Sequence, residues 1–446
     1  DLGPADAASA LTGIGRSAWA VLPLAAVLRE RIEAAGMTGV LTDIEIPLVT
    51  ILARMELTGI AVDRSGLTAL GAEFGAQAQA SADAAYAAIG HEVNLGSPKQ
   101  LQTVLFEELE MPRTKRTKTG WTTDADALTD LFVKTGHPFL EHLLGYRDTT
   151  KLKQTVVGLE RMVADDDRIH TTYLQTVAAT GRLSSIDPNL QNIPVRTDAG
   201  RRIREMFVPA AGDGFADLVT ADYSQIEMRI MAHLSGDAGL IDAFRAGEDL
   251  HSFVGARVFD VSTDAVTPAM RSKVKAMSYG LVYGLSAYGL SKQLRIGVEE
   301  ARGLMDEYFE RFGAVQEYLA GAVESARRVG YTETMYGRRR YLPQLSSDRR
   351  QVREMAERAA LNAPIQGTAA DIMKIAMLRV DAALAEAGLA SRVLLQVHDE
   401  IVLELADGEF DAVAELLATT MGAAAELEVP LEVNIGRGAT WQQAAH

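Results

Sequence analysis

A chain of 446 residues, 48% hydrophobic and 23% charged, is long enough for roughly three packed domains and too ordinary in composition to be fibrous or disordered. It has no cysteine, which excludes disulfides and thiolate metal sites, and its longest apolar stretch, residues 18–28, is broken by Pro23 and too short to span a bilayer, so a cytoplasmic protein with no membrane partner is expected. The net charge of −16 argues as a sum against a nucleic-acid partner, yet basic residues cluster in three runs: Arg113, Lys115, Arg116 and Lys118; Arg201, Arg202 and Arg204; and Arg338 to Arg340 with Arg349, Arg350 and Arg353.

The first residue is Asp1 rather than methionine, which points to a piece of something longer. Residues 6–38 read as short helices with a loop, too little for a domain. Apolar residues at three-and-four spacing then predict helices over residues 44–57, 67–89, 97–109 and 124–134, with Ser97-Pro98 as a helix start, so this part is an all-helical module. Between two of those helices, residues 112–120 are basic, rich in threonine and without a hydrophobic residue to pack, which suits a mobile tip that touches phosphates. From about Arg168 the pattern turns to short strands, residues 169–175 and 218–221, and strands recur as residues 392–397, 401–405 and 430–433. The two strand groups should share one sheet. Residues 239 to about 353 between them are mostly helical, so a helical insertion splits a sheet domain.

Asp222 follows the apolar run Leu218-Val219-Thr220-Ala221 and precedes an amphipathic helix beginning near Gln225, which predicts a carboxylate at a strand end facing a cleft. Asp399 falls in the turn between residues 393–397 and 401–403, a hairpin with an acidic tip. An acid at a strand end is most often a turn former. What sharpens this pair is the series Arg271, Lys275, Tyr279 and Tyr283 between them, because phosphoryl transfer asks for carboxylates that hold metals and cations that hold a triphosphate. Converging, the two acids could bridge two Mg2+ ions about 3.5–4 Å apart, with water and substrate phosphate completing the oxygen shell. Glu400 would be a helper behind them. Asp43 and Glu45 make a second acid pair, but they open an amphipathic helix with no histidine or further acid beside them and read as structural.

Arg271, Lys275 and Tyr279 recur every four residues, so on a helix they form one stripe about 12 Å long at ~1.5 Å per residue. That length suits a nucleotide laid along it, with cations for the triphosphate and a ring for base and sugar. A cationic edge over an aromatic core would have the same spacing. Gly280 and Gly284 favour the nucleotide, since glycine costs a helix about 1 kcal/mol and is kept where something must approach the backbone.

These residues carry a resemblance. Asp222-Tyr-Ser-Gln-Ile-Glu227-Met-Arg229, Arg271-x3-Lys275-x3-Tyr279-Gly-x2-Tyr283-Gly and Val-His398-Asp399-Glu400 are similar to motifs A, B and C of the family A DNA polymerases. The likeness extends through Thr180 to Ser185, Asp187 to Asn192 and Asn362 to Asp371, and covers nearly the whole chain. It implies an α+β, multi-domain right-hand polymerase of the bacterial type: a remnant of a truncated 3′–5′ exonuclease-like domain over 1–42, a helical thumb over 43–167, an antiparallel-sheet palm over 168–238 and 353–446, and helical fingers over 239–352.

The resemblance also implies roles. Asp222 and Asp399 would be catalytic and bind metal with the backbone carbonyl of Tyr223, assisted by Lys275 and Glu400. Arg271, Lys275, His251, Tyr279, Tyr283, Glu227 and Gln225 would meet the incoming nucleotide, with Glu227 as the gate against a ribose 2′-hydroxyl, Tyr283 supporting the templating base, and Tyr279 the form of its position that accepts chain terminators. On the residues alone, His251 is an ordinary surface or helix-end histidine. Arg182, Asn189, Asn192, Arg229, Arg358, Gln366 and His398 would contact the primer-template, where the minor groove offers acceptors in a nearly sequence-independent pattern. Pro364 is expected to interrupt the helix between Arg358 and Gln366.

The implied reaction is template-directed addition of deoxynucleotides to a primer 3′ end in replication and repair, with pyrophosphate released. It uses two Mg2+ ions, for which Mn2+ can substitute. The implied partners are primer-template DNA and deoxynucleoside triphosphates, and the implied state is a nucleoid-associated monomer. Proofreading is expected to be absent, because residues before Asp43 supply no carboxylate cluster. A single-subunit RNA polymerase shares the metal logic, and Glu227 argues against it. A non-catalytic DNA-binding scaffold is disfavoured by Asp222, Lys275 and Asp399.

Overall fold

The computed structural model describes residues 4–118, 120–195, 197–210 and 212–445. Its organising element is a four-stranded antiparallel sheet in the order Arg392–Val397, Glu400–Ala406, Phe215–Tyr223, Val433–Gly438. Phe215–Tyr223 is an inner strand, and its alternation places Leu218 in one apolar cluster with Leu394, Val402 and Trp441, and Val219 and Ala221 in another with Ile372, Met373 and Leu403. Both faces are therefore covered. The 37-residue helix Arg350–Glu386 backs the second face, and helix Ile226–Ser235 lies against it.

The helical module is built on Arg64–Ile89 packed along Pro138–Arg161. Asp63 opens the first of these by accepting from Gly66 N at 2.9 Å, and Gly90, at φ 79°, ends it. Ser97 caps Pro98–Thr103 as its sequence predicts. The Pro138–Arg161 helix has no counterpart in the sequence reading. Its buried residues, Phe139, Leu140, Leu143, Val156 and Leu159, sit near its two ends, and the stretch between them is too polar to show a period.

Four expectations are corrected. The N-terminal region is one helix, Pro4–Ala34, running through Pro23 rather than several short ones; the Ala- and Leu-rich flanks propagate across the single missing hydrogen bond. Strands within residues 169–175 do not join the main sheet: Arg168–Ile169 pairs with Ile60–Ala61, and Thr172–Leu174 with Ser184–Ile186. Short apolar runs identify strands but not their partners. Pro364 does not interrupt its helix, which is continuous from Arg350 to Glu386 with Ala363, Pro364 and Ile365 buried, so tertiary packing overrides the missing N–H. The basic segment at 112–120 contributes to a hairpin, Arg116–Thr117 with Gly120–Trp121, in which Arg113 and Arg116 lie 5.5 and 5.8 Å from the Trp121 ring centroid; Thr119 lies outside the described residues. Among the described residues no helix is long and apolar enough to cross a membrane.

Candidate active site

Val397 pairs with Glu400, leaving His398 and Asp399 as a two-residue turn with His398 in the left-handed region at φ 55°. Glu400 in turn pairs with Asp222 on the inner strand, and directly opposed residues of an antiparallel pair project on the same face. The Tyr223 N–H donates to the Asp399 carbonyl at 3.1 Å, which pins the acidic tip to the strand end. The two aspartates predicted to converge do so. Burial, Glu400 and Asp399 together push the Asp222 carboxyl up to about 7 against the pull of Arg204. Burial likewise raises Asp399, opposed by Arg182 at 3.8 Å. Three acids crowded this way, with the guanidinium groups of Arg182 and Arg204 too few to balance them, fit divalent cations. Among the described residues no group of three or more His, Cys, Asp or Glu side chains is arranged to hold a metal, so the other ligands would be backbone oxygen, water and substrate.

The helix Pro268–Val282 begins where Thr267 accepts from Met270 N at 3.2 Å and Pro268 takes the first turn. Val274, Met277 and Leu281 are buried in the core, while Arg271 and Lys275 are exposed and Tyr279 is half-buried, so the predicted stripe faces outward. The chain leaves the helix at Gly284, at φ +64°, where a Cβ would lie 3.1 Å from Leu361 and 3.2 Å from Arg358. Arg271 makes a two-point pair with Asp249 at 2.7 and 3.1 Å, holding that carboxyl far below its usual range. His251 is not the surface histidine its sequence suggests. It is 3% exposed, its ring lies 6.0 Å from that of Tyr279, and its Nδ1 has no hydrogen-bond partner. Burial, then Arg271 and Lys275, lower it to about 4, so the imidazole is neutral at pH 7.

Gln225, at φ 53°, turns the chain from the acid strand into Ile226–Ser235, and its buried Oε1 has no hydrogen-bond partner. One residue on, Ile226 enters the core and Glu227 comes to rest 3% exposed. Glu227 accepts from Arg182 at 2.7 Å and from the Tyr283 hydroxyl at 2.8 Å. Burial raises the Glu227 carboxyl, while Arg182 and Tyr283 oppose the shift. Three separate motifs therefore meet at one buried carboxylate, and Arg182 stands inside the site. Asn189 accepts from Gln191 N at 3.0 Å as a turn former and, with Asn192, Lys151 and Gln154, lines an open groove between the helical module and the sheet domain. His398 and Arg182 border a small cavity with Gln191, Lys374 and Gln396. Arg358 is exposed and Gln366 half-buried on the long helix, about 12 Å apart along its axis at 1.5 Å per residue.

Arg229 is the one nucleic-acid residue implied by the resemblance that this structure turns inward. It is 2% exposed, donates to Ser224 O, Pro430 O and Glu432, and stacks 4.6 Å from the Phe244 centroid, so its donors are spent within the protein. Two basic runs lose a member in the same way, because Arg204 and Arg338 are interior ion-pair residues. The sequence reading missed Asp249 and Trp441 altogether; nothing in their local pattern separates them from surface and core residues.

The family model for DNA polymerase family A matches residues 64–443. The chain belongs to DNA polymerase family A. It is 64% identical over 427 residues to DNA polymerase I of Mycobacterium tuberculosis, covering 96% of this chain and 47% of that protein. It is 44% identical over 431 residues to DNA polymerase I of Geobacillus stearothermophilus, covering 96% and 49%. The chain thus spans about half the length of the curated relatives it matches. A solved structure of the POL domain of Pol1 from M. smegmatis, in complex with DNA primer-template and dNTP, has a TM-score of 0.92 and 62% identity, covering 96% of this chain and 75% of that one. The family A architecture is therefore that of this chain: a right hand of α+β class, with an antiparallel-sheet palm, helical thumb and helical fingers.

Proposed function

We propose that this chain is a DNA-directed DNA polymerase that adds deoxynucleotides to a primer 3′ end by two-metal-ion nucleotidyl transfer, in replication and repair. The observation that carries this is the link from the Arg271–Tyr283 stripe to the acids: Tyr283 bonds Glu227, Glu227 bonds Arg182, and Arg182 reaches Asp399. Substrate cations and acids are thereby parts of one site. Asp222, Asp399 and the Tyr223 carbonyl would hold two Mg2+ ions, which when bound supply charge stabilisation to the attacking and leaving oxygens. Lys275 and Arg271 grip the triphosphate, Arg271 by exchanging Asp249 for phosphate. His251 offers a neutral imidazole nitrogen beside them. Tyr279 stacks against base and sugar, and Glu227, held on both oxygens, closes the space a ribose 2′-hydroxyl would need.

The domain boundaries follow the same reading: exonuclease-like remnant 1–42, thumb 43–167, palm 168–238 and 353–446, fingers 239–352. Primer-template DNA lies in the groove of Asn189 and Asn192, and the protein acts as a monomer at the nucleoid. The chain does not proofread, since Asp43 bonds Thr42 while Glu45 is committed to Arg338 and Lys374.

Primer extension with deoxy- and ribonucleotides tests the whole reading. Deoxynucleotide extension should vanish in Asp399→Ala, and Lys275→Ala should cost about 2.7–4 kcal/mol, on the order of a hundred- to a thousand-fold in rate, as for other charge-stabilising donors. Undiminished extension by Asp399→Ala would sink it, and equal use of ribonucleotides would redirect it to RNA synthesis.

A further inference from the structure

Glu400 lies directly opposite Asp222 and next to Asp399 in sequence, so a third carboxylate stands at the acid pair. It already repels Asp222 where it stands, and left free to turn it would also compete for the cations that the two aspartates hold. It is not free. Its Oε1 accepts from Arg204 Nη2 at 3.1 Å and from the indole Nε1 of Trp441 at 2.8 Å. The two donors are themselves coupled, because the Arg204 guanidinium lies 3.9 Å from the Trp441 ring centroid. Both are interior, Arg204 at 3% exposure and Trp441 at 0%. Trp441 is fixed in turn by Phe207, whose ring meets it edge-on at 5.4 Å and whose carbonyl accepts from the Trp441 backbone N–H at 2.9 Å.

Phe207 and Arg204 belong to one segment ahead of the inner strand, and Trp441 opens the short helix Trp441–Ala444 near the chain's end. Two remote segments thus meet behind one carboxylate. A buried arginine needs a counter-ion, and a surface glutamate beside the acids would satisfy it no better; the indole adds a neutral donor that selects one oxygen and hence one orientation.

We propose that Arg204 and Trp441 are positioning residues of the polymerase centre, a clamp that fixes Glu400 behind Asp222 and keeps it from acting as a competing metal ligand. The proposal rests on the polymerase reading for its consequence on rate. Its structural content is separate. Releasing the clamp frees a third acid, so it should raise the affinity of the protein for divalent cations while lowering turnover. Simple damage to the fold would lower both.

The test uses Trp441→Phe, which keeps an aromatic ring but loses the N–H donor together with the second ring of the indole, and Arg204→Lys, which keeps the charge and loses the planar stack. Each is made in the parent and in Glu400→Ala. Mn2+ binding to the DNA-free protein is read by electron paramagnetic resonance, and single-nucleotide extension gives kcat and KM. The expected result is a Mn2+ affinity raised several-fold and a kcat lowered roughly ten-fold with KM for the nucleotide little moved, in line with the loss of one hydrogen bond to a charged group. Both effects should disappear in the Glu400→Ala background, where there is nothing left to clamp. The clamp is overturned if Mn2+ affinity falls together with kcat, if neither changes in either variant, or if the losses keep their size without Glu400. Should Trp441→Phe fail to fold, Arg204→Lys alone decides between these outcomes. A parent chain that extends no primer would remove the polymerase reading, and the Mn2+ titration would still judge the clamp.

Discussion

At the scale of single residues, the acids at the strand ends and His251 are groups whose charge the fold opposes. Asp222 shows this most clearly, because burial and two neighbouring acids raise it from an ordinary 3.8 to about 7. An acid that holds its proton more tightly folded than unfolded loses stability for the protein as it ionises. The loss therefore sets in as pH rises through 3.8 and is complete above about 7. For metal-free protein, Asp222→Asn should be more stable than the parent at pH 8, on the order of 2 kcal/mol for a partly exposed group, and the gap should close towards pH 4. Urea unfolding in chelator at a series of pH values measures this. A gap of the same size at every pH would show that the acid is not under strain. The same residue scale exposes where a motif misleads: Arg229 stands in a sequence rich in site residues, yet its donors serve Ser224, Pro430 and Glu432.

Among elements, the junctions carry ion pairs that no single segment announces. Glu45, at the end of the π-helical turn Val40–Glu45 that leads into helix Ile46–Thr58, accepts from Lys374 at 2.7 Å and pairs with Arg338, which also bonds Asp371 at 2.7 Å. Lys374 is 1% exposed and Asp371 is fully buried, so this is an interior node joining the N-terminal turn, the hairpin Tyr331–Glu333 with Arg339–Tyr341, and the long helix. Removing one acid leaves buried cations short of a partner, and Glu45→Ala should destabilise by about 3 kcal/mol, where an exposed pair would be worth under about 1. Thermal and urea unfolding check this, and a change too small to detect would mean that Asp371 alone balances both cations. The sequence predicts Glu45 as structural, but for helix-end electrostatics rather than this node. The acid strands, the capped helices and the stripe at 271, 275 and 279 are legible locally, since each is a periodic or capping signal. The pairing of residues 169–175, the continuity through Pro364 and the Pro138–Arg161 helix are not, since tertiary partners decide them.

For the whole molecule, the net charge of −16 and the proposed nucleic-acid partner are reconciled by where the cations lie. Arg168, Arg204, Arg229 and Arg338 are spent inside on carboxylates and carbonyls and add nothing to the field a phosphate meets. Arg113, Lys115, Arg116 and Lys118, by contrast, are exposed together on and beside the hairpin Arg116–Thr117 with Gly120–Trp121, with Trp121 supporting two of them. In the proposed complex this basic tip would neutralise phosphates beyond the groove of Asn189 and Asn192, and each phosphate so neutralised releases counterions. Replacing all four by glutamine should therefore weaken primer-template binding about equally on every sequence. It should also lower the slope of log affinity against log salt by up to about 3.6, at about 0.9 for each duplex phosphate no longer neutralised. Fluorescence anisotropy of a labelled primer-template, titrated between about 50 and about 200 mM salt, gives both quantities. A slope left at its parental value would place the hairpin off the backbone. Weakening confined to some sequences would mean that it reads bases instead of phosphates.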